Sequence, residues 1–260
     1  MNNVNKTLYI PLYGKAYVSR KGLFLQDAKA EEIWDKEGFP LKGKAKSKWL
    51  AYNMGMRSAV FDLWLAQALE KTPDALVLHL GCGMDSRALR MAQGGSLWVD
   101  VDFPDVITER KRYYGESETY RMIGADIRDP GWLETVPRAD RAILIMEGVS
   151  MYLEREDLLT LLSRLKAYFG SLTVLMDCYT VFGAKATKYK NPINEVGVTQ
   201  VYGVDDPREL EIEGLRFYRE HDLVPEVLIQ ELSGWEQRVF RKLFSGKMAR
   251  GIYRLYEYHT

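Results

Sequence analysis

Cysteine, histidine and net charge are all scarce in this chain of 260 residues. It has two cysteines, Cys82 and Cys178, and three histidines, and its 36 Lys+Arg balance its 36 Asp+Glu. Two thiols far apart argue against a disulfide scaffold and for a reducing, cytoplasmic setting. His79, His221 and His259 lack ligand spacing, so no metal site is expected. A neutral chain has no field to draw it to nucleic acid or an acidic membrane. No apolar run approaches the roughly 18–20 residues of a membrane span. The N-terminal MNNVNKTLYIPLYGKAYVSR has no apolar core behind a basic start and does not read as a secretion signal. No internal repeat or low-complexity tract is found. With 47% hydrophobic residues the chain reads as soluble and globular, long for one ordinary domain but short for two.

Roughly seventy N-terminal residues read as mostly helical. The clearest helix is WLAYNMGMRSAVFDLWLAQALEK, weakened by Gly55 and stopped at Thr72-Pro73. Beyond Pro73 short apolar runs alternate with helical patterns. The strands are expected at ALVLHL (75–80), SLWVDVDF (96–103), TYRMIGAD (119–126), RAILIMEG (141–148) and SLTVLMDCY (171–179). The helices between them fall on SRALRMAQ (86–93), PDVITERKRYY (104–114) and EREDLLTLLSRLKAYF. That order predicts a parallel sheet covered on both faces. Residues 180–215 lose periodicity and read as a loop-rich insertion. An apolar stretch DLVPEVLIQEL, a helix around WEQRVFRKLF and an alternating YRLYEYHT close the chain. The last reads as an edge or antiparallel strand. The expectation is one domain over 1–260, with a helical cap (1–73), a cofactor-binding core (74–179) and a substrate-side segment (180–260).

In such a sheet ligands sit outside the carboxyl ends of the strands. The first end offers Gly81-Cys82-Gly83, the second Asp100-Val101-Asp102, the third Gly124-Ala125-Asp126, and the fourth Glu147. Asp102 lies about twenty residues beyond the glycines, the offset at which a carboxylate meets a ribose diol. A dinucleotide site would want a third glycine where Ser86 stands, and Asp85 would repel a pyrophosphate at the helix start. Asp85 suits a helix cap instead. No Gly-Lys-Ser/Thr follows, so a P-loop is excluded. S-adenosylmethionine removes the conflict. It has no phosphate, and acidic strand ends suit its ammonium, diol and adenine amine, while an arginine suits its carboxylate.

GCGMDSR, WVDVDFPDVITERK, IGADIRD and MEGVSMYL, in this order, resemble the leucine carboxyl methyltransferase superfamily, including its bacterial polyketide-type O-methyltransferases. The resemblance runs from about Lys15 to Tyr179. It implies a class I (Rossmann-like) methyltransferase fold with a mostly parallel seven-stranded sheet, and S-adenosylmethionine as donor with S-adenosylhomocysteine as product. By it, Arg57 holds the methionyl carboxylate and Lys15 adds a basic contact. Asp102 rather than Asp100 takes the ribose hydroxyls; Asp126 and the Ile127 N–H meet the adenine; and Glu147 faces the ammonium. Each has a plainer alternative: a solvated helix arginine for Arg57, a turn for Asp126.

Cys82 is expected as a small wall residue. With the fourth strand between the two cysteine-bearing strands, the thiols lie about 9.6 Å apart, beyond the roughly 7 Å limit of a disulfide. His79 is expected in the core, as are Trp64, Trp132 and Trp235. Tyr152 and Tyr179 are candidates to line the transfer site. Lys185, Lys188 and Lys190 could hold an anionic acceptor or simply be solvated. A carboxylate, with a pKa about 4, needs no base, whereas a phenol near 10 benefits from one. No histidine stands convincingly near a strand end, His221 in the later region being the one candidate. This favours a small-molecule carboxylate over a phenol. A non-catalytic S-adenosylmethionine sensor, or a nicotinamide enzyme disfavoured by Asp85 and Ser86, are the other classes.

Overall fold

A computed structural model describes residues 8–38, 41, 43–91, 95–187 and 201–260, with backbone alone at 44, 187 and 248. Lys188 and Lys190 lie outside the described residues. Three helices precede the sheet: α1 (Tyr9–Arg20), α2 (Ala28–Glu37) and α3 (Lys48–Lys71). Then come β1 (Leu76–Leu80), α4 (Arg87–Met91), β2 (Trp98–Asp102), α5 (Pro104–Arg110), β3 (Tyr120–Gly124), β4 (Arg141–Met146), α6 (Arg155–Tyr168) and β5 (Ser171–Tyr179). The chain ends with α7 (Val181–Thr187), β6 (Arg216–His221), α8 (Glu226–Ile229), α9 (Gly234–Phe244), α10 (Gly246–Arg250) and β7 (Tyr253–His259).

The seven strands lie in the order β3-β2-β1-β4-β5-β7-β6. β1 to β5 are parallel, and β7 runs antiparallel to both its neighbours. As expected, β4 separates the strands that carry Cys82 and Cys178, and both thiols are free and buried. Of the two readings of the last strand the antiparallel one holds and the edge one does not: β7 lies between β5 and β6. The edge strand is RFYREH, and the apolar DLVPEVLIQEL gives the short helix α8, whose Leu228 and Ile229 enter the core. Exposed Arg216, Arg219 and Glu220 make β6 a charged edge that resists pairing with another chain.

Alternation along the strands sends side chains to two separate cores. Leu76, Leu78 and Leu80 of β1 pack with Leu158, Leu161, Leu162 and Leu165 of α6 on one face. Val77 turns to the other, where it joins Leu12, Tyr52, Phe61 and Leu65 of the cap. Gly55 does not weaken α3, which runs unbroken past it. A Cβ there would come 2.7 Å from Val18 Cγ2, and one on Gly14 would come 2.5 Å from Met54 Cβ. The glycines let α1 and α3 touch. Trp64 and Trp132 are buried as expected, but Trp235 is 56% exposed. It sits at the start of α9, edge-on to Trp49, with the Lys48 ammonium 4.1 Å from its ring centre. Within the 180–215 stretch the described part is partly helical: α7 and a 3-10 turn at Pro207–Leu210, where Asp206 and Glu209 form a capping box. Lys185 is exposed on α7. Among the described residues no helix is long and apolar enough to cross a membrane.

Candidate active site

The parallel register brings the carboxyl ends of β1, β2, β4 and β5 level. Leu80 pairs with both Val101 and Met146, and Met146 with Met176. Above this edge lies a cavity of about 360 Å³, roofed by α1 and α3. Lys15, Arg57, Gly81, Cys82, Gly83 and Glu147 line it. Tyr152 and Tyr179 line it too, together with Leu8, Met54 and Met151, so charged, apolar and aromatic groups share the wall.

Asp102, Asp126 and Ile127 are not in that wall. Asp102 is linked to it, because its Oδ2 accepts the Gly83 N–H at 2.8 Å while Oδ1 accepts its neighbour Phe103 N–H at 2.8 Å. Burial raises its pKa despite those donors. Asp100, the other carboxylate of β2, is spent on structure: it accepts from Trp98 Nε1 at 2.7 Å, Tyr120 at 2.7 Å and the buried Arg110. Asp126 lies beyond β3 in an open position, with its carboxylate on the Arg128 guanidinium and backbone N–H. Exposed Phe103 stands beside Asp102.

Charge at the closed end is buried and balanced. Arg57, 8% exposed, donates from Nε to Glu147 Oε1 at 3.0 Å and from Nη1 to the Tyr253 hydroxyl at 3.1 Å, with Asp177 Oδ2 at 3.3 Å. Glu147 also accepts from Arg87 Nη2 at 2.5 Å. Glu147 therefore has two arginines of the chain as partners. Burial opposes its charge, but Arg87, Lys15 and Arg57 hold its pKa at about 2. The expectation for Asp85 needs correction. It does accept the Arg87 N–H at the start of α4, at 3.0 Å. Its charge, however, is met by Lys15 at 2.8 Å, Arg87 at 3.0 Å and Arg90 at 3.0 Å, so it presents no bare anion to a ligand. The objection to a pyrophosphate rests on occupied groups rather than on repulsion.

Arg87 and Arg90 were invisible as site residues because a five-residue helix gives little pattern. They stand three apart on one face of α4 and both reach Asp62 of α3, at 2.5 and 3.0 Å. Asp177 and Tyr253 were missed as well. Asp177 is fully buried, accepts the Gly148 N–H at 2.7 Å, and takes the Tyr253 hydroxyl proton at 2.6 Å. The only earlier sign was an aspartate inside an otherwise apolar strand. Cys82 is 2% exposed and burial pushes its thiol pKa well up, which suits a wall residue and not a nucleophile. His79 is in the core as expected, 3.4 Å from Asp100. The expectation that no histidine stands near a strand end is corrected: β6 ends at His221 on this edge, and His221 lines the cavity, as does the core residue His79.

The chain's arginine–carboxylate set suits a zwitterionic ligand. Arg57 Nε and Nη1 are engaged, and among the described residues Nη2 has no hydrogen-bond partner, on a side chain that faces the cavity. That donor fits a ligand carboxylate. Gly81 and Gly83 adopt left-handed φ values of 65° and 52° and keep the backbone bare beneath it.

Known proteins agree with this architecture. Residues 7–166 match the family model described as leucine carboxyl methyltransferase. The chain is 32% identical to the tetracenomycin polyketide synthesis O-methyltransferase TcmP of Streptomyces glaucescens, over 99% of this chain and 97% of that protein. It is 34% identical to the S-adenosyl-L-methionine-dependent methyltransferase dpfgK of Gibberella zeae, over 70% of this chain and 66% of that one. Among solved structures, it superposes on the magnesium protoporphyrin IX methyltransferase of Synechocystis PCC 6803 with bound SAH at a TM-score of 0.54 and 16% identity, covering 89% and 92% of the two chains. A duf574 family protein from Streptomyces avermitilis gives 0.57 at 13% identity, with 90% and 89% covered. These structures share the fold; the family model and TcmP agree with the sequence blocks that pointed to polyketide-type O-methyltransferases. The chain belongs to the leucine carboxyl methyltransferase family and is an S-adenosylmethionine-dependent O-methyltransferase.

Proposed function

We propose that residues 1–260 form one methyltransferase domain, working in the cytoplasm on the oxygen of a small-molecule acceptor. The observation that carries the site assignment is the open Arg57 Nη2 donor in a buried, charge-balanced cluster at the carboxyl edge. Arg57 holds the methionyl carboxylate from Nη2, and Lys15, which also lines the cavity, adds a basic contact. Glu147, kept ionised by its arginines, accepts from the ammonium. Gly81, Cys82 and Gly83 supply the floor under the methionyl chain. Asp102 binds the ribose diol. Asp126 and the Ile127 N–H meet the adenine on the open shelf by Phe103.

S-adenosylmethionine supplies a methyl carbon on a positively charged sulfur, open to displacement by an oxygen nucleophile. The chain's contribution is alignment in a chamber poor in water. Tyr152 and Tyr179, with Met54 and Met151, form the apolar walls against which an acceptor lies. A carboxylate acceptor, already ionised at neutral pH, needs no base in such a chamber; a phenol would call on a group such as His221, which also lines it. Two free, buried thiols support the cytoplasmic assignment.

Calorimetry with S-adenosylhomocysteine, followed by transfer of labelled methyl groups into a metabolite extract, tests this reading. Binding and a labelled small molecule are expected. Folded protein that takes up neither donor nor product would overturn it.

A further inference from the structure

Four segments of the chain meet around one guanidinium. Arg57 comes from α3, Gly148 from the turn after β4, Asp177 from the end of β5 and Tyr253 from the start of β7. β7 runs antiparallel to β5 and sets Leu255 opposite Asp177, so Tyr253 lies diagonally across from the aspartate. Arg57, Gly148 and Tyr253 line the cavity, and Asp177 stands behind them, fully buried. Both of its oxygens are in use. Oδ1 accepts the Gly148 N–H at 2.7 Å; Oδ2 accepts the Tyr253 O–H at 2.6 Å and lies 3.3 Å from Arg57 Nη1.

A phenolic hydroxyl has one hydrogen. With that hydrogen committed to Asp177, the Tyr253 oxygen is left to accept, and it does so from Arg57 Nη1 at 3.1 Å. Burial and the carboxylate beside it push the Tyr253 phenol well above its usual range, which keeps the hydrogen in place. Burial raises the Asp177 carboxyl too, against the pull of Arg57 and of its two hydrogen bonds. Two guanidinium nitrogens are thus fixed, Nε by Glu147 at 3.0 Å and Nη1 by Tyr253. The group is flat and rigid, so holding two nitrogens sets the direction of the third. Gly148 makes room for it: at a φ of 72°, a Cβ there would stand 3.4 Å from Nη2 and 3.5 Å from Nη1. The guanidinium lies close to bare backbone whose N–H Asp177 holds. Nη2 is the nitrogen left over, without a hydrogen-bond partner among the described residues.

We propose that Tyr253 and Asp177 are positioning residues that aim Arg57 Nη2 at the methionyl carboxylate, so that the last strand of the chain sets the fit of the donor. This rests on the methyl-transfer reading above and deepens it. Both residues act through Arg57: Asp177 orients the Tyr253 hydroxyl, and the hydroxyl fixes the tilt of the guanidinium.

Calorimetric titration of the full chain with two ligands tests it: S-adenosylhomocysteine, and its decarboxylated counterpart, which keeps the ammonium, ribose and adenine. A charge-assisted bond from Nη2 should make wild type prefer the first by about 10- to 100-fold. Tyr253→Phe keeps the ring edge-on to Tyr179, 4.9 Å between centres, and removes only the hydroxyl. In that variant the preference should shrink by about 3- to 10-fold, with the Kd of the decarboxylated ligand within about twofold of wild type. A merely structural loss would weaken both ligands alike. Asp177→Asn, which keeps an oxygen for the Gly148 N–H, carries the same comparison if Tyr253→Phe does not fold, and the same shrinkage is expected. An undiminished preference in either folded variant, or equal losses for the two ligands, overturns the positioning role and leaves methyl transfer standing. Wild type that binds the two ligands equally overturns the assignment of Nη2 to the carboxylate, and the positioning role with it. Wild type that takes up neither overturns the donor reading itself.

Discussion

Replacing Arg57 by lysine separates charge from geometry at the closed end of the cavity. The guanidinium spans Glu147, Tyr253 and Asp177 at 3.0, 3.1 and 3.3 Å and keeps Nη2 for the ligand. A lysine ammonium is a single point and cannot serve all four. It keeps the charge that Glu147 and Asp177 need, so the fold should lose only one or two hydrogen bonds, about 1–2 kcal/mol. For a chain of this size that lowers Tm by about 2–8 °C. The ligand, by contrast, loses a charge-assisted bond of about 1.5–3 kcal/mol, which at about 1.4 kcal/mol per decade raises the Kd by one to two orders of magnitude. Arg57→Ala would go further and leave Asp177, buried at 0% exposure, without its cation. Its stability cost should be about 3–5 kcal/mol. Calorimetric titration with S-adenosylhomocysteine beside differential scanning calorimetry separates the two effects. An Arg57→Lys protein that binds as tightly as wild type would refute the assignment of Nη2 to the ligand.

Three further outcomes are expected. Gly81→Ala should destabilise the protein by about 2–5 kcal/mol in urea unfolding, adding left-handed strain to overpacking, since its Cβ would lie 2.2 Å from Val149 Cγ2 at a φ of 65°. Arg87→Leu removes the buried cation that Glu147, Asp62 and Asp85 share, leaving them to Arg57, Arg90 and Lys15, and should cost about 3–5 kcal/mol, seen as a Tm drop of about 6–20 °C. In acid, Glu147 falls from an ordinary 4.5 to about 2 in the folded state, so its stabilisation is complete above pH 4.5 and is lost as the pH falls through about 2. That is worth about 3 kcal/mol at 1.36 kcal/mol per unit, and urea midpoints for wild type and Glu147→Gln between pH 7 and 2 should converge towards the acid end.

The strands from β1 to β5 were legible because a doubly covered parallel sheet demands unbroken apolar runs, and SLTVLMDCY matches its strand residue for residue. β6 was not, since a charged edge strand such as RFYREH carries no such run. Lys15, Arg57, Gly81 to Gly83, Glu147, Tyr152 and Tyr179 were named from local blocks and do meet in one cavity. What escaped was whatever depends on two distant segments. Asp62 becomes meaningful only when α4 lies against α3, and Asp177 only when β7 carries Tyr253 to it. The exposure of Trp235 was likewise unreadable, because aromatic character alone does not say which side of α9 faces the core.

The close crossing of α1 and α3 bears on how molecules reach the chamber. Those helices share an apolar core with the sheet and are tied to α4 through Asp62, Arg87 and Arg90. Swinging them outward would wet that core and part several buried charges at once. Opening the chamber by lifting its roof is therefore the costly route.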